Sequence, residues 1–377
     1  MRKLLLKLVN LLLPKPISGK LLHFYINKKL TDWRIYLNDA RMDQRLGEML
    51  REYSGNLSED MTSTYWSILN RKNVAQLLES GYNNFKQTVS LNYFTWLVGT
   101  DDPQVKFLQN NLPAQSVLTA KERAASSKRH SYFTDKQSFL YNFITYMLWD
   151  FVKKNCGESL LERLEEPAEG NPPSILLDGK NISQDLANSV LEYHSIVSSM
   201  QNIEKMHTIM ELGAGYGRTA FVFLNILPNI RYIIVDIPPA LYISEKYLTS
   251  QFPERNVFKF RPFNSFTEVR DDFNKAQIVF LMPHQLNLLP DKTADIFLAI
   301  DCIHEMRPEQ INRYFRIFEQ HARYLYFKCW KKTIIPYENV AFTEKDYPVP
   351  SYWKKFFWRD CLVQTAFFEA LFSIDKQ

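Results

Sequence analysis

Three glycines at alternate positions, Gly213, Gly215 and Gly217, have the spacing that points most directly to chemistry. They follow the apolar run from Thr208 to Leu212 and precede the run Ala-Phe-Val-Phe-Leu, which predicts a buried strand, a turn and a helix. Glycine backbone can approach a ligand closely and adopt positive φ values, and the first turn of a helix offers unpaired N–H groups. The segment therefore predicts a site for a nucleotide-like ligand.

The spacing of these glycines distinguishes two kinds of cofactor. A dinucleotide-binding turn has glycine at its first, third and sixth positions, whereas the sixth position here is Arg218. An acidic residue two places before the first glycine, with Gly-x-Gly-x-Gly after it, resembles the first motif of the S-adenosylmethionine-dependent methyltransferases. The resemblance implies that the turn faces the methionine part of the cofactor and that Glu211 lies near its ammonium group. A dinucleotide site and a purely structural glycine turn remain alternatives. The residues predicted here to bind cofactor are Glu211, Gly213, Ala214, Gly215 and Gly217.

A second acidic residue, Asp236, follows the next apolar run and stands twenty-one residues after Gly215. An acid at the carboxyl end of the second strand can accept hydrogen bonds from both ribose hydroxyls, and a helix cap is its structural alternative. We predict that Asp236 and its neighbour Ile237 contact the cofactor. Pro283 and His284 follow the third apolar run, where the methyltransferase superfamily usually contacts adenine, and they are predicted to form an adenine wall.

Residues 178–330 also resemble a bacterial family of sugar O-methyltransferases found with surface-polysaccharide genes. The similar stretch is less than half of the 377 residues, and the assignment to sugars depends on the Ser-Gln-Asp-Leu and His-Glu-Met pieces. The resemblance implies transfer of a methyl group to a sugar hydroxyl, with a sugar or glycan as acceptor, in polysaccharide biosynthesis. The pieces are Ile182-Ser-Gln-Asp-Leu-Ala-Asn-Ser-Val-Leu-Glu192, Glu211-Leu-Gly-Ala-Gly-Tyr-Gly217, Tyr232-Ile-Ile-Val-Asp-Ile-Pro238 and Ile300-Asp-Cys-Ile-His-Glu-Met306.

Methyl transfer to a hydroxyl requires alignment of donor and acceptor and a base that removes the proton. Asp301, His304 and Glu305 directly follow the fourth apolar run, at the carboxyl end of a strand, where open parallel sheets hold their ligands. We predict His304 as the base because imidazole titrates near neutral pH, with Asp301 orienting it or touching the sugar. Glu305 or His194 could take that role, and His304 could simply pack. Asp301 and Glu305 carry carboxylate oxygens, which are ligands that magnesium binds. No paired spacing of such residues supports a metal site, and none is predicted.

The elements that must position these residues follow from hydrophobic periodicity. Apolar runs alternate with helical patterns over residues 174–377, which predicts an α/β fold, a Rossmann-like class I methyltransferase sheet with helices on both faces. Ser183 is predicted to cap one helix and Pro308 to begin another. Residues 17–173 predict a mostly helical amino-terminal domain that ends in a linker rich in proline and charge, 165–173. The predicted strands are 207–212, 232–236, 278–282, 296–300 and 324–327.

The amino terminus differs from the rest in charge. The net charge is +5, and the first thirty residues carry seven Lys or Arg and no Asp or Glu. Leucines at helical spacing in residues 1–16 predict an amphipathic helix that either packs on its own domain or lies on an anionic membrane surface. Lys7 argues against a secretory signal, and no apolar window is long enough to span a bilayer. Four cysteines without paired spacing fit a reducing cytoplasm, so the predicted location is cytoplasmic, including the inner face of the membrane.

The position of the basic residues also bears on the partner. Nucleic acid is not a predicted partner, because the excess charge lies in the amino-terminal segment and no Asn or Asp-Pro-Pro-Tyr type motif follows the fourth strand. Two other functions remain as alternatives: methylation of a non-carbohydrate small molecule or lipid-linked acceptor, and a methyltransferase-like binding subunit without catalysis. Glu211, the three glycines and Asp236 favour an enzyme.

Overall fold

The computed structural model describes residues 33–56, 63–90, 98–200, 206–335 and 340–374. The amphipathic segment predicted at 1–16 lies outside the described residues. Within the described ranges, no helix is both long and apolar enough to cross a membrane.

Most of the described strands lie in one large sheet in the second half of the chain. The strands are β1 (Ile175–Leu177), β2 (Lys180–Ile182), β3 (Thr208–Leu212), β4 (Arg231–Val235), β5 (Val257–Phe258), β6 (Ile278–Leu281), β7 (Ile296–Ile300), β8 (Tyr324–Trp330), β9 (Lys332–Ile335), β10 (Val340–Thr343), β11 (Lys354–Asp360) and β12 (Phe367–Ser373). The large sheet has eight strands in the order β5-β6-β4-β3-β7-β8-β12-β11. β1 pairs with β2 and β9 with β10 in separate two-stranded sheets.

The first six strands of this order run parallel to one another. Of the last two, β12 pairs antiparallel with β8, and β11 pairs antiparallel with β12. The five predicted strands are β3, β4, β6, β7 and β8, so those predictions are confirmed, although β11 and β12 were not predicted. Leu212 pairs with Val235 on one side and with Ala299 on the other. The carboxyl ends of β3, β4 and β7 therefore finish along one edge of the sheet.

Helices flank the sheet and also make up most of the first half of the chain. They are α1 (Gln44–Gly55), α2 (Thr64–Ser80), α3 (Pro103–Asn111), α4 (Ala114–Ser126), α5 (Asp135–Cys156), α6 (Glu158–Leu161), α7 (Gln184–Ser199), α8 (Arg218–Ile226), α9 (Ala240–Gln251), α10 (Arg270–Lys275) and α11 (Pro308–His321). Two predicted helix starts are confirmed. The side chain of Ser183 accepts the N–H of Leu186, and Pro308 begins α11, where a missing N–H costs no helical hydrogen bond.

Two hydrophobic cores lie on opposite faces of the sheet. Alternate residues of β3 serve the two faces, with Ile209 in one core and Met210 and Leu212 in the other. The core that contains Ile209 extends to residues of α1, α2 and α5. The predicted Rossmann-like α/β fold with a helical amino-terminal half is thus confirmed.

Polar contacts also join the helical half to the sheet half. Arg45 of α1 makes an ion pair at 2.8 Å with Glu245 of α9, and the indole N–H of Trp149 donates to the backbone oxygen of Ser183 at 2.9 Å. The predicted boundary near residue 174 stays a prediction, and these contacts cross it.

Candidate functional site

A cavity of about 340 Å³ lies at the carboxyl ends of β3, β4 and β7. Open α/β sheets bind ligands in this position, and the volume is within the range of small-molecule sites. Eight of the predicted site residues line it together: Gly213, Gly215, Asp236, Ile237, Pro283, Asp301, His304 and Glu305. Four others, Glu211, Ala214, Gly217 and His284, are not among the lining residues.

The three glycines of the turn have positive φ values of 70°, 61° and 88° at Gly213, Gly215 and Gly217. A Cβ atom on Gly213 would lie 2.5 Å from the Cβ of Cys302, and one on Gly217 would lie 2.7 Å from Leu248. Gly213 and Gly217 are thus required by close protein packing as well as by their φ values. Gly213 and Gly215 also line the cavity.

Asp236 is almost fully buried at the end of β4. One carboxylate oxygen accepts the N–H of Gly215 at 2.7 Å, and the other accepts the N–H of Ile237 at 2.7 Å. Burial raises the pKa of Asp236 to about 7, against the lowering effect of these two hydrogen bonds. The next helix, α9, has no side-chain cap, so Asp236 does not serve as its cap. Each oxygen keeps acceptor capacity, which fits a pair of ribose hydroxyls.

Glu211 lies inside the protein next to the turn. The hydroxyl of Tyr232 donates to its carboxyl at 2.7 Å, and burial raises the pKa of Glu211 to about 8. His284 lies outside the lining residues, with its Nε2 3.9 Å from a carboxylate oxygen of Glu52 in α1. Its neighbour Pro283 does line the cavity.

His304 is buried and packs against the rings of Trp330 and Phe367, each with its centroid 6.1 Å from that of the imidazole. Burial, together with the positive charge of nearby Lys328, lowers the pKa of His304 to about 3. The sequence predicted a pKa near neutrality, and the difference arises because the charged imidazolium would lose its hydration here. His304 is therefore neutral at pH 7, and its Nδ1 has no hydrogen-bond partner among the described residues.

Glu305 stands beside His304, with a carboxylate oxygen 3.8 Å from Nε2. Burial and the neighbouring Asp301 raise the pKa of Glu305 to about 8, against the lowering effect of a hydrogen bond with Tyr65. Glu305 is thus the stronger base of the two once it is ionised. His194, the remaining alternative, lines a separate cavity of about 140 Å³.

Asp301 adopts a left-handed conformation, with φ 54°, directly after β7. Such a φ value is uncommon outside glycine and often marks a functional site. Its Oδ2 lies 3.3 Å from the ammonium of Lys328 and 3.7 Å from the guanidinium of Arg218. Its Oδ1 has no hydrogen-bond partner among the described residues.

Several lining residues were not predicted, because they come from segments far away in sequence. The helical half contributes Ser63 and the first turn of α2, together with a glutamine of α3, and the antiparallel end of the sheet contributes the rest. No local motif marks any of them. They are Ser63, Tyr65, Trp66, Gln104, Trp330, Gln364 and Phe367.

A scan of protein-family models finds no match for the chain, and a search of curated proteins finds none either. Similar solved structures include an S-adenosylmethionine-dependent methyltransferase from Clostridium acetobutylicum, 12% identical with a TM-score of 0.35, over 50% of this chain and 91% of that one. Another is a methyltransferase of the same kind from Aquifex aeolicus, 13% identical with a TM-score of 0.29, over 48% of this chain and 88% of that one. These values are too low to indicate what this chain binds.

Proposed function

We propose that this chain is an S-adenosylmethionine-dependent methyltransferase. The observation that carries the proposal is that Gly213, Gly215 and Asp236 meet Asp301 and His304 in one cavity at the carboxyl ends of β3, β4 and β7. A dinucleotide is the weaker alternative, because Arg218 occupies the position of the third dinucleotide glycine and its guanidinium is held by Glu192 at 2.7 Å. The cofactor, when bound, supplies a methyl group on a positively charged sulfur.

Seven of the lining residues have a role in this proposal. Gly213 and Gly215 bring backbone close to the methionine part, and the carboxylate of Asp236 accepts the ribose hydroxyls. Ile237 and Pro283 supply apolar walls. On the other side, neutral His304 or ionised Glu305 takes the proton of the acceptor hydroxyl.

We further propose that the acceptor is a sugar hydroxyl and that the product belongs to a surface polysaccharide. The support is the resemblance of the Ser-Gln-Asp-Leu and His-Glu-Met pieces, together with the character of the acceptor side of the cavity. Aromatic rings of Tyr65, Trp66 and Trp330 line it next to the polar side chains of Gln104 and Gln364. Flat apolar surfaces with a few polar groups suit a ring that carries hydroxyls.

Mass spectrometry of surface glycans tests this assignment. A strain that lacks the gene should produce a glycan that is one methylene lighter, and the wild-type gene should restore the mass. A copy that carries Asp236→Ala should fail to restore it, which separates catalysis from a scaffolding role. If the deletion strain makes unchanged glycans although the purified protein binds the cofactor, the proposed acceptor would instead be a non-carbohydrate or lipid-linked molecule.

A cytoplasmic enzyme at the inner membrane face completes the proposal, on the basis of the basic, leucine-rich residues 1–16. Basic residues near an anionic surface each contribute about 1 kcal/mol, so contact should give salt-sensitive binding. Flotation with anionic vesicles should recover the full chain and lose a form without residues 1–16. Equal recovery of both forms would contradict a membrane contact.

A further inference from the structure

Four charged side chains form a buried network behind the cavity. Glu192 of α7, Arg218 of α8 and Lys328 of β8 have side chains that are 3%, 5% and 3% exposed, and Asp301 is 14% exposed. Of these four residues, Asp301 lines the 340 Å³ cavity. The network connects the helix after the glycine turn with the loop after β7.

Glu192 is the centre of this network. Both of its oxygens accept from the guanidinium of Arg218, at 2.7 and 2.8 Å, and one also accepts from the ammonium of Lys328 at 2.8 Å. Two cations thus surround one carboxylate. Since an uncompensated buried charge is unfavourable, the second carboxylate, Asp301, makes the network neutral when it is ionised.

The two oxygens of Asp301 have different surroundings. Oδ2 faces both cations, Lys328 at 3.3 Å and Arg218 at 3.7 Å. Oδ1 has no hydrogen-bond partner among the described residues. A buried carboxylate oxygen without a partner is unfavourable unless a ligand group approaches it, and the left-handed φ of Asp301 is a further local cost of this arrangement.

We propose that Lys328 is a positioning residue, which with Arg218 fixes Oδ2 of Asp301 and thereby holds its carboxylate charge at the cavity wall, facing the positively charged part of the ligand. The inference rests on the proposed function, in which that positive charge is the sulfonium of S-adenosylmethionine. A cationic acceptor would offer the same chemistry. S-adenosylhomocysteine separates the two sources, because it differs from the cofactor by the methyl group and the sulfonium charge.

Calorimetry of both adenosyl compounds with the full chain tests this. Asp301→Asn keeps the shape and removes the charge, so the preference for S-adenosylmethionine over S-adenosylhomocysteine should fall about tenfold, as expected for loss of a partly buried charge interaction. An unchanged ratio would overturn the inference. That result would leave the proposed function unaffected. The proposed function fails only if the wild-type protein binds neither compound, and in that case the inference about Lys328 fails as well.

Lys328→Met provides a second measurement, with a pH dependence that a merely structural role of Lys328 would not produce. Without Lys328, burial and Glu192 raise the pKa of Asp301 further, so the carboxyl is protonated more at neutral pH and ionises as pH rises. The preference should therefore fall relative to wild type at pH 7 and recover at alkaline pH. The charged and titratable groups that face Asp301 are Glu192, Arg218, Lys328, Glu305, Cys302, Cys329 and Cys361.

Two further lysine variants control this measurement. Lys328→Arg should retain most of the preference, because it keeps the positive charge beside Asp301. Lys331→Met removes a lysine that pairs with Asp360 at 2.7 Å on the surface, and it should leave the ratio unchanged. A ratio in Lys328→Met that stays equal to wild type at pH 7 would overturn the positioning role. If Lys328→Met does not fold, Asp301→Asn decides alone.

Discussion

The two sides of the cavity are built differently. The side assigned to the cofactor comes from one short stretch, in which Gly213, Gly215, Asp236 and Ile237 follow two adjacent parallel strands. The side assigned to the acceptor combines residues from α2, α3, the loop after β7 and the antiparallel end of the sheet. The proposed cofactor side is therefore determined by local sequence, whereas the proposed acceptor side depends on contacts that only the folded chain creates.

The two sides also differ in how their polar groups are satisfied. Both oxygens of Asp236 accept backbone N–H groups at 2.7 Å. On the acceptor side, Oε1 of Gln104 and Nδ1 of His304 are buried without a partner among the described residues. Buried polar groups are normally paired, so these two side chains, which line the cavity, are the ones that we expect to hydrogen-bond the acceptor.

The largest effect is expected on the cofactor side. Gly215→Val should abolish binding of S-adenosylmethionine at millimolar concentration, because valine rarely adopts the φ of 61° and its side chain would enter the turn that lines the cavity. Gly179→Val, in the hairpin between β1 and β2, is a matched control with φ 83° and open space around it. Calorimetry should show normal binding for the control, and normal binding by Gly215→Val would contradict the role of the turn.

The next effect separates catalysis from cofactor binding. His304→Ala tests the first of the two candidate bases: if His304 takes the proton, kcat should fall by about 10² to 10⁴ while the Kd for S-adenosylmethionine hardly changes. His321→Ala, which also removes a buried histidine, controls for stability and should retain kcat in the folded protein. Full activity of a stable His304→Ala protein would transfer the role to Glu305.

The pH dependence of kcat sharpens this choice of base. Burial raises the pKa of Glu305 to about 8, so its basic form is present above that pH and is lost as pH falls. A rate that rises through about pH 8, with the rise lost in Glu305→Gln, would identify Glu305, because the pKa of Glu211 is also raised to about 8. His304, with its pKa lowered to about 3, stays neutral over the same range and predicts no such rise.

The smallest of the expected effects concerns the contribution of the helical half. Gln104→Ala should raise KM for the acceptor roughly two- to tenfold, the usual range for one hydrogen bond, and leave the Kd for S-adenosylmethionine unchanged. Gln320→Ala removes an exposed glutamine that donates to Asp291 and should change neither constant. A change in the Kd for S-adenosylmethionine with no change in the KM for the acceptor would assign α3 to the cofactor side of the cavity.

This contrast explains which parts of the structure could be predicted. The strands β3, β4, β6, β7 and β8 are nearly continuous apolar runs, with Glu211 in β3 and Lys328 in β8 as buried charged exceptions, because a parallel sheet covered on both faces buries nearly every residue. β11 has the sequence Lys-Lys-Phe-Phe-Trp-Arg-Asp and lies at the sheet edge, where charged residues obscure the strand pattern. Its position was not predictable from periodicity alone.

The same distinction holds within the site. The glycine turn and Asp236 were predicted because each follows a recognisable strand and acts through local backbone. The pKa of His304 could not be predicted, because its shift to about 3 results from burial and from Lys328, which only the fold brings near the imidazole. Tyr65 and Gln104 gave no sequence signal, since each stands in an ordinary helical segment of the first half.

The central claim is that the cavity is a site for S-adenosylmethionine. The most direct test is calorimetry of the wild-type protein with S-adenosylmethionine, S-adenosylhomocysteine and NAD in parallel. The account predicts saturable binding of at least one adenosyl compound and none of NAD, with binding lost in Gly215→Val. Binding of NAD together with no binding of either adenosyl compound at millimolar concentration would contradict it.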